Sequence, residues 1–281
     1  MKMRPSGTRK LADLLVRAIS TISSFVGIAA LAWILTVVVQ KGLHALDLDF
    51  FIRSATPAGI ERGGVANAIA GTILITALAA LIGIPAGMSA GVYLAEFGSR
   101  SRFGSAVRFA VNAMMGIPSI IIGLFVYTFM VLPIGHFSGY AGAVALGIIM
   151  MPVIARTTED MLNLVPNSLR ESALALGAPR WRVTLGIVFR AAKTGLITGT
   201  LLAMARVSGE TAPLLFTALN SFYWPKHLGE PTANITITIF QYAMSPYEDW
   251  QRKAWGASLV IMTGVLVVTV FARMIVKEKR K

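Results

Sequence analysis

The chain carries several charge-free apolar stretches that are long enough to cross a lipid bilayer, and they limit its possible folds more than any other feature. A bilayer core requires about 20 mostly apolar residues per helix. Ala18 to Gln40 is 23 residues without a charge, and Gly63 to Ala95 is 33. Only 14% of all residues are charged, against roughly 25% in a soluble domain. The sequence therefore predicts an all-α membrane protein.

Further stretches raise the number of predicted transmembrane helices to six. Residues 109–155 form a 47-residue run that is too long for one span, and the Pro- and Gly-containing segment 133–139 divides it into a hairpin. Residues 194–219 are apolar except for one Arg and one Glu, and 254–272 complete the set. The predicted spans are about 18–40, 66–95, 108–131, 140–158, 194–219 and 254–275.

The distribution of basic residues predicts the orientation, because Lys and Arg collect on the cytoplasmic side of a membrane. With six spans, 19 of the 26 Lys and Arg residues fall on one side and 6 on the other, with Arg206 inside the membrane. We therefore expect both termini in the cytoplasm, a basic cytoplasmic segment 1–17, a transmembrane domain 18–281 and a cytoplasmic loop at about 160–193. This topology and anionic lipid headgroups account for the net charge of +13, so nucleic-acid binding is not expected.

The composition excludes several kinds of site. The chain has no cysteine, which excludes disulfides, thiol nucleophiles and cysteine-ligated metal centres. Its three histidines, His44, His136 and His227, lie far apart in the sequence, so a metal site is not expected. No Lys follows a Gly, so the chain has no GxxxxGK phosphate-binding loop. If ATP drives this protein, another subunit must bind it, and no cofactor is expected in this chain.

A short capped helix is predicted in the cytoplasmic loop. Ser168 and Glu171 have the spacing of a capping box, in which each side chain accepts a hydrogen bond from the other residue's backbone amide. Gly177 supplies the stop. A helix of about two turns is marginal alone, so it should dock against another structure. Two interpretations are open: a linker on the membrane surface, or a rigid projection into a cytosolic partner.

The same segment resembles the EAA loop of ABC-importer permeases, whose pattern is Glu-Ala-Ala, three residues, Gly, nine residues and Ile-x-Leu-Pro. The matching positions are Glu171, Ala173, Gly177 and Ile187, and the departures are Ser172, Phe189 and Arg190. In that family the loop docks into a groove of the ATPase subunit and transmits its motion. The resemblance implies coupling to an ATPase by Glu171, Ala173 and Gly177, with the flanking Arg180 and Arg182 as further contacts.

A charged pair interrupts the fifth predicted span. Arg206 lies about halfway along this span, where a charge costs at least about 2.5 kcal/mol. Glu210, four residues later, shares its helical face and is expected to neutralise the arginine. One interpretation is an ion pair that locks the helix to a neighbour. The other is a water-filled path in which the guanidinium binds a tetrahedral oxyanion through two hydrogen bonds.

Proline and glycine give two more helices special features. Pro118, followed by Ser119, removes a hydrogen bond in the third span and should leave the carbonyl of Met114 free. This break is either a flexible gate or an ordinary kink. The second span carries a GxxxGxxxG face, for which close helix packing is favoured over a ligand role. Its residues are Gly83, Gly87 and Gly91.

The sequence also resembles the phosphate-specific permeases of ABC importers, of the PstA type. The resemblance rests on residues 209–218 (GETAPLLFTA) and 156–161 (RTTEDM), and it extends from about residue 65 to the C-terminus. It implies a type I ABC-importer permease fold in a bacterial inner (plasma) membrane. Together with the charged pair in the fifth span and the break in the third, it predicts a substrate path that includes Arg206, Glu210, Thr211, Pro118 and Ser119. It also implies three partners: a homologous PstC-type permease, two copies of a PstB-type ATPase that binds ATP and Mg, and a PstS-type binding protein that delivers inorganic phosphate.

Several other functions fit parts of the sequence. An importer of sulfate, molybdate, amino acids or peptides would carry the same EAA loop. An intramembrane enzyme would use Glu210 as a base, but such a site needs further polar groups or a metal. A channel or secondary transporter would work without ATP and would leave the cytoplasmic helix without a role. Copurification of an ATPase would argue against the last two.

Overall fold

The computed structural model describes residues 6–60, 63–98 and 101–278, and within these ranges its regular structure is entirely helical. Residues 1–5 of the predicted basic segment and residues 279–281 at the C-terminus lie outside the described ranges. Five helical stretches are long and apolar enough to cross a membrane, and a strongly bent pair of helices would make six. The predicted all-α membrane fold is confirmed, while the cytoplasmic location of both termini stays a prediction.

The first helix, α1 (Ser6–Leu43), is long and largely unpacked. No residue in the most apolar part of α1 is buried, so this helix presents its side chains to lipid or to another subunit. Only its C-terminal end approaches the last helix of the chain closely, where a Cβ atom on Gly42 would lie 2.7 Å from the Cβ of Leu259. The short α2 (Leu48–Ile52) follows. The packed body of the fold therefore begins at α2, whose Phe50 side chain is buried.

The second predicted span is one continuous helical stretch, whereas the third is broken. The second is α3 (Ala66–Val92), which continues into a π-helical turn at Tyr93–Phe97. The third, predicted at 108–131, is divided at Pro118. Its pieces are α4 (Arg102–Gly116), α5 (Ser119–Val126), a π-helical turn at Tyr127–Val131 and α6 (Leu132–Ile134).

The division at Pro118 is a bend of 101° between the two parts of this span. Proline disfavours the helical conformation in the residue before it, and Ile117 is accordingly extended (φ −75°, ψ 127°). A turn then separates this segment from the next helix. Gly135 adopts φ +83°, which suits glycine, and the Ser138 hydroxyl accepts a hydrogen bond from the amide of Ala141 (3.2 Å). The predicted turn within residues 133–139 is confirmed.

The centre of the fold is the pairing of α3 with α7 (Gly139–Asn163). The predicted glycine face of α3 lies against α7, where a Cβ atom on Gly87 would come within 2.6 Å of the carbonyl oxygen of Met151. Only glycine allows the two backbones to approach this closely. The prediction of close helix packing is therefore confirmed. Fully buried side chains in the hydrophobic cluster along this helix pair are Ile75, Leu146, Met150 and Ile154.

The fifth membrane helix is displaced along the chain from its predicted position at 194–219. Helical structure is continuous from Arg180 to Ser208, so the helix begins 14 residues earlier than predicted and ends 11 residues earlier. Gly209 ends it, with its amide donating to the carbonyl of Arg206 (3.2 Å). The elements of this region are α8 (Asn167–Ala175), α9 (Arg180–Val183), a π-helical turn at Thr184–Val188, α10 (Phe189–Ser208) and α11 (Ala212–Leu215).

The last two helices, α12 (Ile235–Ala243) and α13 (Glu248–Glu278), pack against each other. The Trp250 ring stacks on the buried Tyr242 ring, with 4.5 Å between the ring centroids. Burial, with a smaller contribution from the Asp249 carboxylate, raises the pKa of the Tyr242 hydroxyl to about 12. Aromatic stacking therefore joins α12 to the start of the sixth span.

The close contact between α3 and α7 leads to a prediction about stability. Gly87→Leu should destabilise the protein by at least about 1–3 kcal/mol, because the new side chain must displace the backbone of α7. Gly27→Leu in α1 is the matched control, since nothing lies within 4 Å of a Cβ atom at that position. Thermal unfolding of both purified variants measures the difference. Equal melting temperatures for the two variants would contradict the packing described here.

Candidate functional site

A cavity of about 160 Å³ lies where the break in the third span meets the end of α10. Its apolar walls come from α4, α5 and α7, and its polar lining consists of Ser119, Arg206 and Glu210. The fold thus brings together three of the five residues predicted for a substrate path. Pro118 and Thr211 are their neighbours in the chain but do not line the cavity. A larger cavity of about 360 Å³ between α3, α10 and α13 has no charged residue in its lining.

The first helix break positions Ser119. The amide of Ile117 donates to the carbonyl of Met114 (3.3 Å), so the expectation that this carbonyl is free was wrong. A tight turn replaces the helical bond that Pro118 removes. Pro118 then acts as the N-cap of α5 without a side-chain acceptor, which leaves the positive end of the α5 dipole at the cavity wall. The proline therefore does more than bend a span, because it creates a helix start inside the apolar region.

The second helix break positions Arg206 and Glu210. Arg206 lies in the last turn of α10, where the negative end of the helix dipole favours a cation, rather than halfway along a span. After Gly209 the backbone leaves the helix, and the amide of Glu210 donates to the carbonyl of Val207 (3.1 Å). Glu210 therefore does not lie one helical turn above Arg206. The predicted ion pair was wrong, since the two side chains form no salt bridge within 4.0 Å.

The three polar side chains of the cavity share an unusual property. Within the described part of the chain, the side chains of Ser119, Arg206 and Glu210 form no hydrogen bond with other protein groups. Arg206 is exposed in the isolated chain and Glu210 is half-buried. A cationic donor, an anionic acceptor and a hydroxyl thus remain available to a small polar ion. No group of three or more His, Cys, Asp or Glu side chains that could hold a metal occurs in the described ranges.

The helix predicted in the cytoplasmic loop is present as α8, but its start differs. The helix begins at Asn167 after Pro166, so Ser168 is already its second residue and no side chain caps it. The predicted capping box of Ser168 and Glu171 was therefore wrong, because the N-cap is Pro166, two residues before Ser168. Glu171 is exposed instead.

The predicted stop of α8 at Gly177 is confirmed. Gly177 has φ +80°, and its amide donates to the carbonyl of Leu174 (2.9 Å) while the amide of Ala178 donates to that of Ala173 (3.3 Å). This is a Schellman motif, which favours glycine at that position. The side chain of Ala173 is buried. The exposed residues predicted to face an ATPase are Glu171, Gly177, Arg180 and Arg182.

A buried ion pair that sequence reasoning missed holds α8 to the membrane helices. Arg170 in α8 donates to the carboxylate of Glu96, in the π-helical turn after α3 (2.8 Å). It also donates to the carbonyls of Leu162 in the last turn of α7 (2.7 Å) and of Val165 just after α7 (2.6 Å). The side chains of Arg170 and Glu96 are only 16% and 10% exposed. One guanidinium therefore joins three elements, although 74 positions separate it from Glu96.

A second ion-pair network joins α4 to α7. The Glu159 side chain is only 4% exposed, and it receives hydrogen bonds from Arg108 (2.8 Å) and Arg156 (3.2 Å). Arg156 also approaches Asp160 at 3.4 Å. This network contains the charged residues of the 156–161 segment that carried part of the sequence resemblance. Their role in the structure is to fix one part of the broken span against the central helix.

Comparison with known proteins identifies the family. The family model for binding-protein-dependent transport system inner membrane components matches residues 83–281. The chain is 48% identical over 272 residues to the phosphate transport system permease protein PstA of Haemophilus influenzae, with 97% of this chain and 96% of the relative covered. PstA of Pasteurella multocida is 46% identical, with 97% of each covered, and the probable PstA of Methanocaldococcus jannaschii is 37% identical, with 92% and 91% covered.

Solved structures share the fold at low sequence identity. The MetNI methionine ABC transporter in an inward-facing conformation matches with a TM-score of 0.64 and 20% identity, over 75% of this chain and 94% of that chain. A bacterial alginate ABC transporter matches with a TM-score of 0.64 and 17% identity, over 99% of each. The predicted type I importer fold is confirmed. The chain therefore belongs to the family of binding-protein-dependent transport system inner membrane components and, within it, to the PstA-type permeases.

Proposed function

We propose that this chain passes inorganic phosphate through the cavity beside Arg206. The chain is the non-catalytic permease subunit of a phosphate ABC importer, as relatives named PstA are 44–48% identical to it over nearly their whole length. We choose this cavity because two helix breaks meet there. Three polar side chains without protein partners line it. In hydrocarbon, such breaks occur only where protein or a water-filled path satisfies the backbone.

Four of the five predicted path residues have a distinct role in this proposal. Arg206 supplies the countercharge that an anion needs in a cavity with apolar walls, and its planar guanidinium suits two oxygens of a tetrahedral oxyanion. Ser119 adds a hydroxyl donor at the positive end of α5. Pro118 and Thr211 act indirectly, since Pro118 starts α5 and Thr211 starts α11. The apolar walls of the cavity keep the contacts few, so binding is weak and release is fast.

The remaining partners also belong to the proposal. A homologous PstC-type permease pairs with this chain and completes the path, and a PstS-type binding protein delivers phosphate to it. Two PstB-type ATPase subunits bind ATP and Mg, and this chain binds no cofactor. Residues 1–17 and the loop at about 160–193 lie in the cytoplasm of a bacterial inner membrane, with 18–281 as the transmembrane domain. The family description, which names an inner membrane component of a binding-protein-dependent system, supports the membrane location and the binding-protein partner.

Alternating access is the proposed mechanism. Closure of the ATPase dimer moves α8, which presents Glu171 and Gly177 at its surface. Arg170 transmits this movement, since its guanidinium bonds both Glu96 at the end of α3 and the carbonyls that end α7. The glycine contact makes α3 and α7 move as one unit. The cavity then opens to the other side of the membrane. No finding favours the alternatives of a sulfate or molybdate permease, or of an intramembrane enzyme.

Phosphate uptake by proteoliposomes tests the role of Arg206. Arg206→Ala should lower ATP-dependent uptake at least about tenfold, which requires only about 1.4 kcal/mol of lost anion stabilisation. Arg252→Ala is the matched control, because Arg252 is exposed and forms no salt bridge. Uptake should require the partner permease, the ATPase and the binding protein. Parental uptake by an assembled Arg206→Ala complex would contradict the proposed path.

A comparison of two adjacent residues of α8 tests the coupling role. Glu171→Ala should raise the ATP hydrolysed per phosphate imported without changing the melting temperature of the complex, because the side chain is exposed. Arg170→Ala should also destabilise the complex, since it leaves the Glu96 carboxylate buried and unpaired at a cost of about 3–5 kcal/mol. Parental stoichiometry in the Glu171→Ala complex would rule out docking through this residue.

A further inference from the structure

The polar lining of the 160 Å³ cavity is chemically mixed rather than uniformly cationic. Arg206 is a donor only, an ionised Glu210 is an acceptor only, and Ser119 is either. These are the only polar or charged side chains in the lining, and within the described chain none of them is paired with another protein group. A ligand that satisfies all three must therefore both accept and donate hydrogen bonds.

This requirement separates oxyanions that are otherwise alike. Sulfate and hydrogen phosphate have the same tetrahedral shape and similar charge, but at neutral pH sulfate carries no proton. Its oxygens satisfy Arg206 and Ser119 and then face the Glu210 carboxylate as a like charge, which raises the free energy of the complex. A P–OH group instead donates a hydrogen bond to that carboxylate. The Glu210 carboxylate thus distinguishes hydrogen phosphate from sulfate by the proton that only hydrogen phosphate carries.

The backbone at Glu210 is held in place by contacts outside the cavity. Its carbonyl accepts a hydrogen bond from the Thr236 hydroxyl (2.9 Å), and its amide donates to the carbonyl of Val207 (3.1 Å). The Thr236 hydroxyl also lies 2.9 Å from Oδ1 of Asn234, the N-cap of α12, so its single proton is shared between two acceptors. The carboxylate therefore extends from an anchored turn, and its place in the lining does not depend on an ion pair with Arg206.

We propose that Glu210 is a specificity-determining residue that accepts a hydrogen bond from a protonated oxyanion and excludes a fully ionised one. The inference rests on the proposed function, because it assigns the chemistry of the ion that occupies the same cavity. Selection at this point is independent of the binding protein. It acts on whichever anion has already been released into the membrane path.

Thiol protection measures selection at the cavity directly. The chain has no cysteine of its own, so Met115→Cys, at a position in the cavity lining, gives it a single thiol. In the complex of both permeases and the ATPase, without the binding protein, phosphate should slow alkylation of this thiol. Sulfate should need at least about a tenfold higher concentration for the same effect. Glu210→Gln should bring the two concentrations within about threefold, because the amide both donates and accepts, whereas Glu210→Asp should keep the difference.

The outcomes separate this inference from the proposed path. Equal protection by phosphate and sulfate in the parent, or an unchanged difference in Glu210→Gln, would overturn the role of Glu210 and leave the path in place. Failure of both anions to protect would contradict the path itself. Ile117→Cys, at another position in the same lining, repeats the measurement if the Met115→Cys complex does not assemble.

Discussion

The structure depends on one constraint of the bilayer, namely that hydrocarbon offers no partner for a backbone amide or carbonyl. Helical structure is nevertheless broken twice beside the cavity, at Pro118 within one span and at Gly209, where another span ends. Each interruption is satisfied locally, by the turn from Ile117 to Met114 and by the Thr236 hydroxyl on the carbonyl of Glu210. Both interruptions border one cavity. The polar site therefore exists because the fold supplies the partners that lipid does not.

A rigid centre makes such interruptions possible. The glycine face of α3 lets its backbone contact that of α7, and this pair carries the largest buried cluster. The ion pair of Arg108 with Glu159 fixes the broken span to α7. Arg170 fixes α8 to the end of α3, through Glu96, and to the end of α7. Ion pairs thus attach the surrounding segments to a core that is held by close packing. The proposed coupling of α8 to the cavity follows these attachments.

Local patterns in the sequence predicted the apolar spans, the glycine face and the Gly177 stop, since each depends on residue spacing within one element. The errors arose where one element ends or two meet. The pairing of Arg206 with Glu210 assumed a helix that continues, but Gly209 ends it. The capping box ignored the helix start that Pro166 sets. The contact of Arg170 with Glu96 joins residues 74 positions apart, which no local spacing reveals.

Alternating access requires that the cavity at the two helix breaks opens in turn to the two sides of the membrane. The most direct test is the reactivity of a thiol introduced by Ser119→Cys toward a membrane-impermeant reagent, applied from one side at a time. The assembled complex is compared without nucleotide and with trapped ATP. We expect reactivity from one side in each state, and from opposite sides in the two states. Reactivity from the same side in both states, or from neither side, would contradict alternating access at this cavity.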